Sequence, residues 1–138
     1  MEIFDRMKSM VGIGKPTLTI RGVEGPARAG EPLRGIVVLR GGDYDSPVKD
    51  VTVRLDEERI VYSTPGTPER HFWRRVATQE IAMDGRILKK DEVLELAFEL
   101  ILPVGLAPSE GSVSYELVAD TEVPGLNPKA EMVVLVGA

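Results

Sequence analysis

One six-residue stretch concentrates the side chains best suited to recognising a partner: Arg70, His71, Phe72, Trp73, Arg74 and Arg75. It contains the only histidine and the only tryptophan of the chain and follows a proline-rich loop, Ser63 to Pro68. Arginine and tryptophan often anchor protein interfaces because they combine large contact area with directional hydrogen-bond donors. We therefore predict that a protein partner binds this stretch. The alternative is that Phe72 or Trp73 packs in the core while the arginines stay in solvent.

Catalytic chemistry has few candidates in this sequence. A Ser–His–Asp arrangement would need His71, which lies in a predicted loop between arginines, and no Gly-x-Ser-x-Gly nucleophile turn occurs. Glu95 and Glu99 could form a carboxylate pair, but both lie on the polar face of a predicted strand, where no apolar cleft would distinguish an acid from a base. We therefore predict no catalytic residues.

Metal and cofactor sites are also disfavoured. Asp43, Asp45 and Asp50 have the wrong spacing for a calcium loop, and aspartate is common in turns, where it hydrogen-bonds to nearby backbone. The segment 12–17 has a Gly-Lys pair but lacks the earlier glycine of a phosphate loop, and Pro16 interrupts the helix start. Without cysteine, the chain has neither disulfides nor cysteine-based zinc sites. We expect no cofactor and no metal.

The first segment has apolar residues at the period of a helix: Ile3, Phe4, Met7, Met10 and Val11. This spacing predicts a helix over residues 1–12, which ends at Gly12 and is kept from continuing by Pro16. Its apolar face could bind a membrane surface, but Glu2 and Asp5 offset its basic residues. We expect it to pack on the rest of the domain or on a second subunit.

From Thr17 onward the apolar period changes to two, which is the period of a half-buried strand. The clearest strand is 93–102, a weaker one covers 76–83, and Asp56 to Glu58 is expected to be the solvated end of another. Seven strand candidates separated by turn residues over 17–136 predict an all-β, antiparallel, immunoglobulin-like sandwich. We find no repeat or linker and therefore expect residues 1–138 to form a single domain.

Composition limits the classes of partner and location. The 138 residues are 43% hydrophobic and 28% charged, which is typical of soluble globular proteins. The net charge of −5 disfavours nucleic acid, although arginines beside aromatic residues would suit a single strand. The start of the chain lacks the pattern of a signal peptide, and no 18-residue apolar run occurs. We expect a cytoplasmic protein without stable membrane insertion.

Two regions resemble a known plan. In Ala29–Gly42 a Gly-Glu turn leads into a strand. In Leu100–Ser109 a strand ends in proline and a Pro-Ser loop follows it. The next strand, in Ser112–Ala119, has the pattern Val-x-Tyr-x-Leu. Arrestin-like N-terminal domains have a similar order. With Val11–Gly14 and Val123–Lys129 as further matches, the chain resembles the sporulation-control proteins of the SpoOM family, which are arrestin relatives. Members usually carry two such domains, and we expect one here, of the N-terminal type.

The resemblance implies a cytoplasmic regulatory or scaffolding protein without cofactor or catalytic centre. We therefore expect a non-enzymatic adaptor that binds other proteins. One alternative is a self-assembling structural protein, a homodimer for example, which uses its edge strands and the first helix. Another is a small hydrolase or carbohydrate binder on a sandwich scaffold.

Overall fold

A computed structural model describes residues 14–62 and 64–138, so the helix predicted over 1–12 lies outside the described residues. Every regular element in the described part is a β-strand. The strands are β1 (Thr17–Arg21), β2 (Pro32–Arg40), β3 (Ser46–Pro47), β4 (Val51–Val61), β5 (Arg70–Ile81), β6 (Ile87–Leu88), β7 (Val93–Ile101), β8 (Val113–Asp120) and β9 (Lys129–Val134).

The strands form two main sheets and one small ladder. One sheet has the order β1-β2-β7, the other has the order β5-β4-β8-β9, and β3 pairs with β6. All of these strand pairs are antiparallel. The prediction of an all-β, antiparallel fold is confirmed.

The two main sheets face each other across one hydrophobic core. Alternate residues of β2 and β7, such as Leu39 and Leu100, point inward from one sheet, and Val53, Leu55 and Leu117 point inward from the other. Successive side chains of a strand point to opposite faces, so an apolar residue at every second position gives each sheet one buried face. Each fully buried leucine contributes on the order of 2 kcal/mol. The fold is therefore a sandwich.

The sheets also meet at their edges. At one side, residues 135–137, which directly follow β9, pair with Ala27: its N–H donates to Leu135, and the N–H of Gly137 donates to Ala27, both over 2.8 Å. At the other side, the Gln79 side chain of β5 accepts a hydrogen bond of 2.8 Å from the backbone N–H of Glu99 in β7. An edge strand has unpaired backbone groups, and these contacts satisfy some of them.

Two sequence expectations about β4 and β5 are wrong. Asp56–Glu58 is not the solvated end of a strand, because β4 continues to Val61. Residues 70–75 are not in a loop, because they form the first half of β5. In both segments charged residues replace the apolar alternation that marks a strand, and pairing between the two segments keeps them extended.

Candidate functional site

The long hairpin of β4 and β5 positions the predicted binding stretch. Its ladder runs from Val51 opposite Ile81 to Val61 opposite Arg70 and contains a β-bulge at Val76. After the bulge, residues 77–81 are mostly partly buried, whereas residues 70–75 are all exposed. A bulge bends and twists its strand, so it separates the part of β5 that packs on the sandwich from the part that does not.

We call residues 70–75 the β5 patch: Arg70, His71, Phe72, Trp73, Arg74 and Arg75. The structure places all six in consecutive positions at the edge of the four-stranded sheet. The side chains of Phe72 and Trp73 are 52% and 55% exposed, so neither packs in the core. Because neighbouring side chains of a strand point to opposite faces, the two aromatic rings lie on opposite faces of the sheet.

Further apolar surface lies beside the β5 patch at the end of the hairpin. Val61, the last residue of β4, and Tyr62, which follows it, are both exposed. With Phe72 and Trp73 they place four large exposed apolar side chains at one end of the hairpin, divided between its two faces. Grouped exposed apolar residues often mark an interaction surface, whereas scattered ones do not.

A buried carboxylate lies beneath one face of the β5 patch. Glu57 is almost fully buried and accepts hydrogen bonds from Arg59 Nε over 2.8 Å, from Arg74 Nη2 over 3.3 Å and from the hydroxyl of Tyr115 over 3.1 Å. The hydroxyl of Tyr115 shares its single proton between Glu57 and the carbonyl of Ala107. A buried charge is tolerated only when it is paired and hydrogen-bonded, and this network satisfies that condition. It fixes Arg74 of the β5 patch to the core.

These contacts change the pKa of both partners. Burial raises the pKa of Glu57, but hydrogen bonds from Arg59 and Tyr115 and the charges of Arg74 and Arg59 outweigh it, so the net pKa lies below its ordinary value. Burial, and then the hydrogen bond to Glu57, raise the pKa of Tyr115 to about 12. Glu57 is therefore ionised and Tyr115 is protonated at neutral pH.

Sequence reasoning missed Glu57, although its position contains a signal. Val51, Val53 and Leu55 occupy every second position of β4 and point inward, and Glu57 is the next member of this series. Continuing the alternation by one step places a carboxylate on the inner face, where it needs cationic partners.

His71 lies between two carboxylates. Its Nδ1 is 3.2 Å from Glu58 and its Nε2 is 3.5 Å from Glu69, and the ring is half exposed. Within the described residues, no serine hydroxyl is hydrogen-bonded to this imidazole. The arrangement can orient the ring, but it does not place a nucleophile beside it.

The other acidic candidates have structural contacts. Asp45 accepts a hydrogen bond from the backbone N–H of Lys90, and Asp50 accepts one from that of Met83, each over 2.8 Å. Glu95 pairs with Arg21, and in the same sheet Glu99 pairs with an arginine of β2 over 2.7 Å. Among residues 14–62 and 64–138, no three histidine or acidic side chains come together as a metal site would require.

A shallow polar depression lies on the outer face of the four-stranded sheet. Its charged lining residues are Arg54, Asp120, Glu122 and Lys129, and Arg54 binds Asp120 over 2.7 Å and the neighbouring Asp56 over 3.0 Å. Its lining has two basic and two acidic side chains, and Asp56 adds a third carboxylate beside Arg54, so the depression has no excess positive charge for an anionic ligand.

In the described part of the chain, no helix has the length and the apolar character needed to cross a membrane.

Comparisons with known proteins agree with the architecture. A family model described as SpoOM protein matches residues 4–124. Among solved structures, the chain is similar to Spo0M, a sporulation control protein from Bacillus subtilis, with a TM-score of 0.78 and 19% sequence identity. The match covers 91% of this chain and 51% of that chain, so this chain spans about half its length. The β-rich, arrestin-like fold is confirmed. No curated protein sequence matches the chain.

Proposed function

The chain belongs to the SpoOM protein family of sporulation-control proteins, and we propose that it is a non-enzymatic adaptor that binds another protein through the β5 patch. Membership in this family suggests a regulatory role. A regulator without its own reaction must act through contacts with other molecules. The β5 patch is the surface best built for such contacts.

The exposure of Phe72 and Trp73 is the observation that carries this proposal. Both are large apolar side chains in a regular strand, and neither packs in the core. Full burial of a large apolar side chain is worth about 1.5–3 kcal/mol, so half-exposed rings leave a substantial part of that energy for a partner. Tryptophan and arginine are also the residues most often found at binding hot spots.

The backbone of the β5 patch and the side chain of Arg74 have defined contacts before any partner binds. Backbone pairing with β4 fixes the strand, and the buried Glu57 fixes Arg59 and Arg74 beside it. Binding costs less free energy when the interface side chains are already ordered, since less conformational entropy is lost. This order favours specific recognition over nonspecific adhesion.

The charge of the β5 patch suggests an acidic partner. Within the described residues, Arg70 and Arg75 form no ion pair, and Arg74 is more than half exposed even though it contacts Glu57. The whole chain carries a net charge of −5, which opposes the approach of nucleic acid. A protein segment that contains both acidic and apolar residues would complement the arginines, and unlike nucleic acid it does not present a continuous phosphate backbone to the acidic chain. The absence of cysteine suits a reducing cytoplasm, where we place this function.

The test is affinity capture from a lysate of the source organism with three baits: the wild type, Phe72→Ala/Trp73→Ala, and Val133→Ala/Leu135→Ala. Val133 and Leu135 lie in and just after β9, at the other side of the sheet, and are 70% and 66% exposed, so they provide a matched control. We expect one or more proteins to be retained by the wild type and the control and lost by the Phe72/Trp73 variant.

Two results would oppose the proposal. If all three baits retain the same proteins equally, the β5 patch is not part of the interface. Recovery of the protein alone with each bait would favour the self-assembling alternative.

A further inference from the structure

We propose that the partner adds an extended, acidic segment as a new strand to the free edge of β5, at residues 70–75. This inference rests on the proposed function and specifies how the partner binds. An added strand gains affinity from backbone hydrogen bonds and specificity from its alternating side chains.

The edge of β5 is divided into two parts by the bulge at Val76. Beyond the bulge, Gln79 contacts the backbone of Glu99 in β7, so this part of the edge lies against the other sheet. Before the bulge, β5 pairs only with β4 among the described strands, and residues 70–75 are exposed. Backbone groups of alternate residues in a strand point to each edge, so this half of β5 offers a short row of free donors and acceptors.

The side chains at this edge argue against a second copy as the occupant. A two-fold symmetric, antiparallel pair of β5 strands centred on Phe72 would place Arg70 opposite Arg74 of the second copy, and the symmetry repeats this contact. Like charges directly opposite each other in a sheet are destabilising. In this register the arginines oppose self-pairing, whereas a strand of opposite charge would be attracted to the same edge.

Pairing each residue of 70–75 with one residue of the partner defines the sequence of a complementary strand. An antiparallel partner needs acidic residues opposite Arg75, Arg74 and Arg70 and apolar residues opposite Trp73 and Phe72. In the order of the partner chain, this gives Glu-Glu-Val-Val-Thr-Glu, with threonine opposite the histidine of the β5 patch. Opposite charges and aromatic–β-branched pairs each add about 0.2–1 kcal/mol in a sheet.

The probe is this peptide with short Gly-Ser ends and a fluorescent label. The full chain is titrated into it, and binding is followed by fluorescence anisotropy. A control peptide has lysine at each glutamate position. We expect the acidic peptide to bind and the basic one to bind at least about tenfold more weakly, as expected from several reversed pairs. In Arg70→Glu/Arg75→Glu this preference is expected to reverse. Absence of binding by the acidic peptide would overturn the inference.

Backbone pairing is tested by a second readout. We expect the bound acidic peptide to slow hydrogen exchange of the amides in residues 70–75, and a peptide N-methylated at alternate positions to lose binding. If the peptide binds, requires Phe72 and Trp73, but leaves these amides unprotected and tolerates methylation, strand addition is wrong while the proposed function stands. If the Phe72→Ala/Trp73→Ala variant binds the peptide as well as the wild type does, the β5 patch itself is excluded.

Discussion

The hydroxyl of Tyr115 donates a hydrogen bond over 3.1 Å to the buried carboxylate of Glu57, its direct neighbour across the β4–β8 ladder. The same hydroxyl donates to the carbonyl of Ala107, in the loop before β8. One side chain therefore connects the central strand β8, the long hairpin and this loop. The β5 patch depends on the connection because Glu57 also holds Arg74.

Removal of the Tyr115 hydroxyl is expected to destabilise the fold. Tyr115→Phe removes the one O–H proton that the buried carboxylate and the carbonyl share, and an unsatisfied buried polar group costs about 1–3 kcal/mol. We expect a decrease of this size in the free energy of unfolding, measured by urea denaturation. The control is Tyr44→Phe at an exposed tyrosine, where we expect a change within about 0.5 kcal/mol. Equal effects of the two substitutions would contradict the role of the network.

Stability is expected to decrease at alkaline pH as Tyr115 ionises. Its pKa is raised from 10.0 to about 12 in the folded state, so its contribution is complete below pH 10 and is lost as the pH rises through about 12. A tyrosinate absorbance titration should show one ionisation near pH 12. Tyr115→Phe should lack that step, and its persistence in this variant would assign it to another tyrosine.

Glu57 is expected to make stability depend on acidic pH. Its folded-state pKa lies below its ordinary value of 4.5, so its contribution is present above that pH and is lost as the pH falls through the folded pKa. The slope of the unfolding free energy against pH below about 5 should be smaller in Glu57→Gln than in the wild type. Parallel slopes would show that Glu57 has the same pKa in the folded and unfolded states.

The contact of Gln79 with the edge of β7 is expected to limit self-association. Gln79→Ala removes the acceptor of the Glu99 N–H and exposes a strand edge, and exposed edges pair with other chains. We expect a mass that increases with concentration in light scattering. Glu80→Ala, at the neighbouring exposed position, is the control and should keep the wild-type mass. A constant mass for Gln79→Ala would show that the edge is protected by other means.

The sequence predicted the parts of the fold in which apolar alternation is clear. The strand predicted over 93–102 corresponds to β7, and the motifs around Ala29–Gly42 and Leu100–Ser109 identified the family that the comparisons confirm. The chemistry of residues 70–75 was also visible, because arginines and aromatic residues are conspicuous in any conformation.

The arrangement of those residues was not visible, because it depends on pairing between distant segments. The charged halves of β4 and β5 have no apolar alternation, and each is extended because the other pairs with it. In the sequence alone, Glu57 fits a solvated strand end. Only the structure shows that Tyr115 and Arg74 are hydrogen-bonded to it. Likewise, only the packing of β5 against β7 shows that Gln79 closes one part of the edge and leaves the Arg70 end free.

The most direct test of the adaptor function is site-specific photo-crosslinking in living cells. A photoreactive benzoylphenylalanine replaces Trp73 in one variant and Val133 in another, at side chains that are 55% and 70% exposed. We expect a discrete crosslinked protein from position 73 that is absent from position 133, identified by mass spectrometry of the adduct. Adducts of equal identity and yield at both positions, or a discrete adduct from position 133 alone, would contradict this expectation.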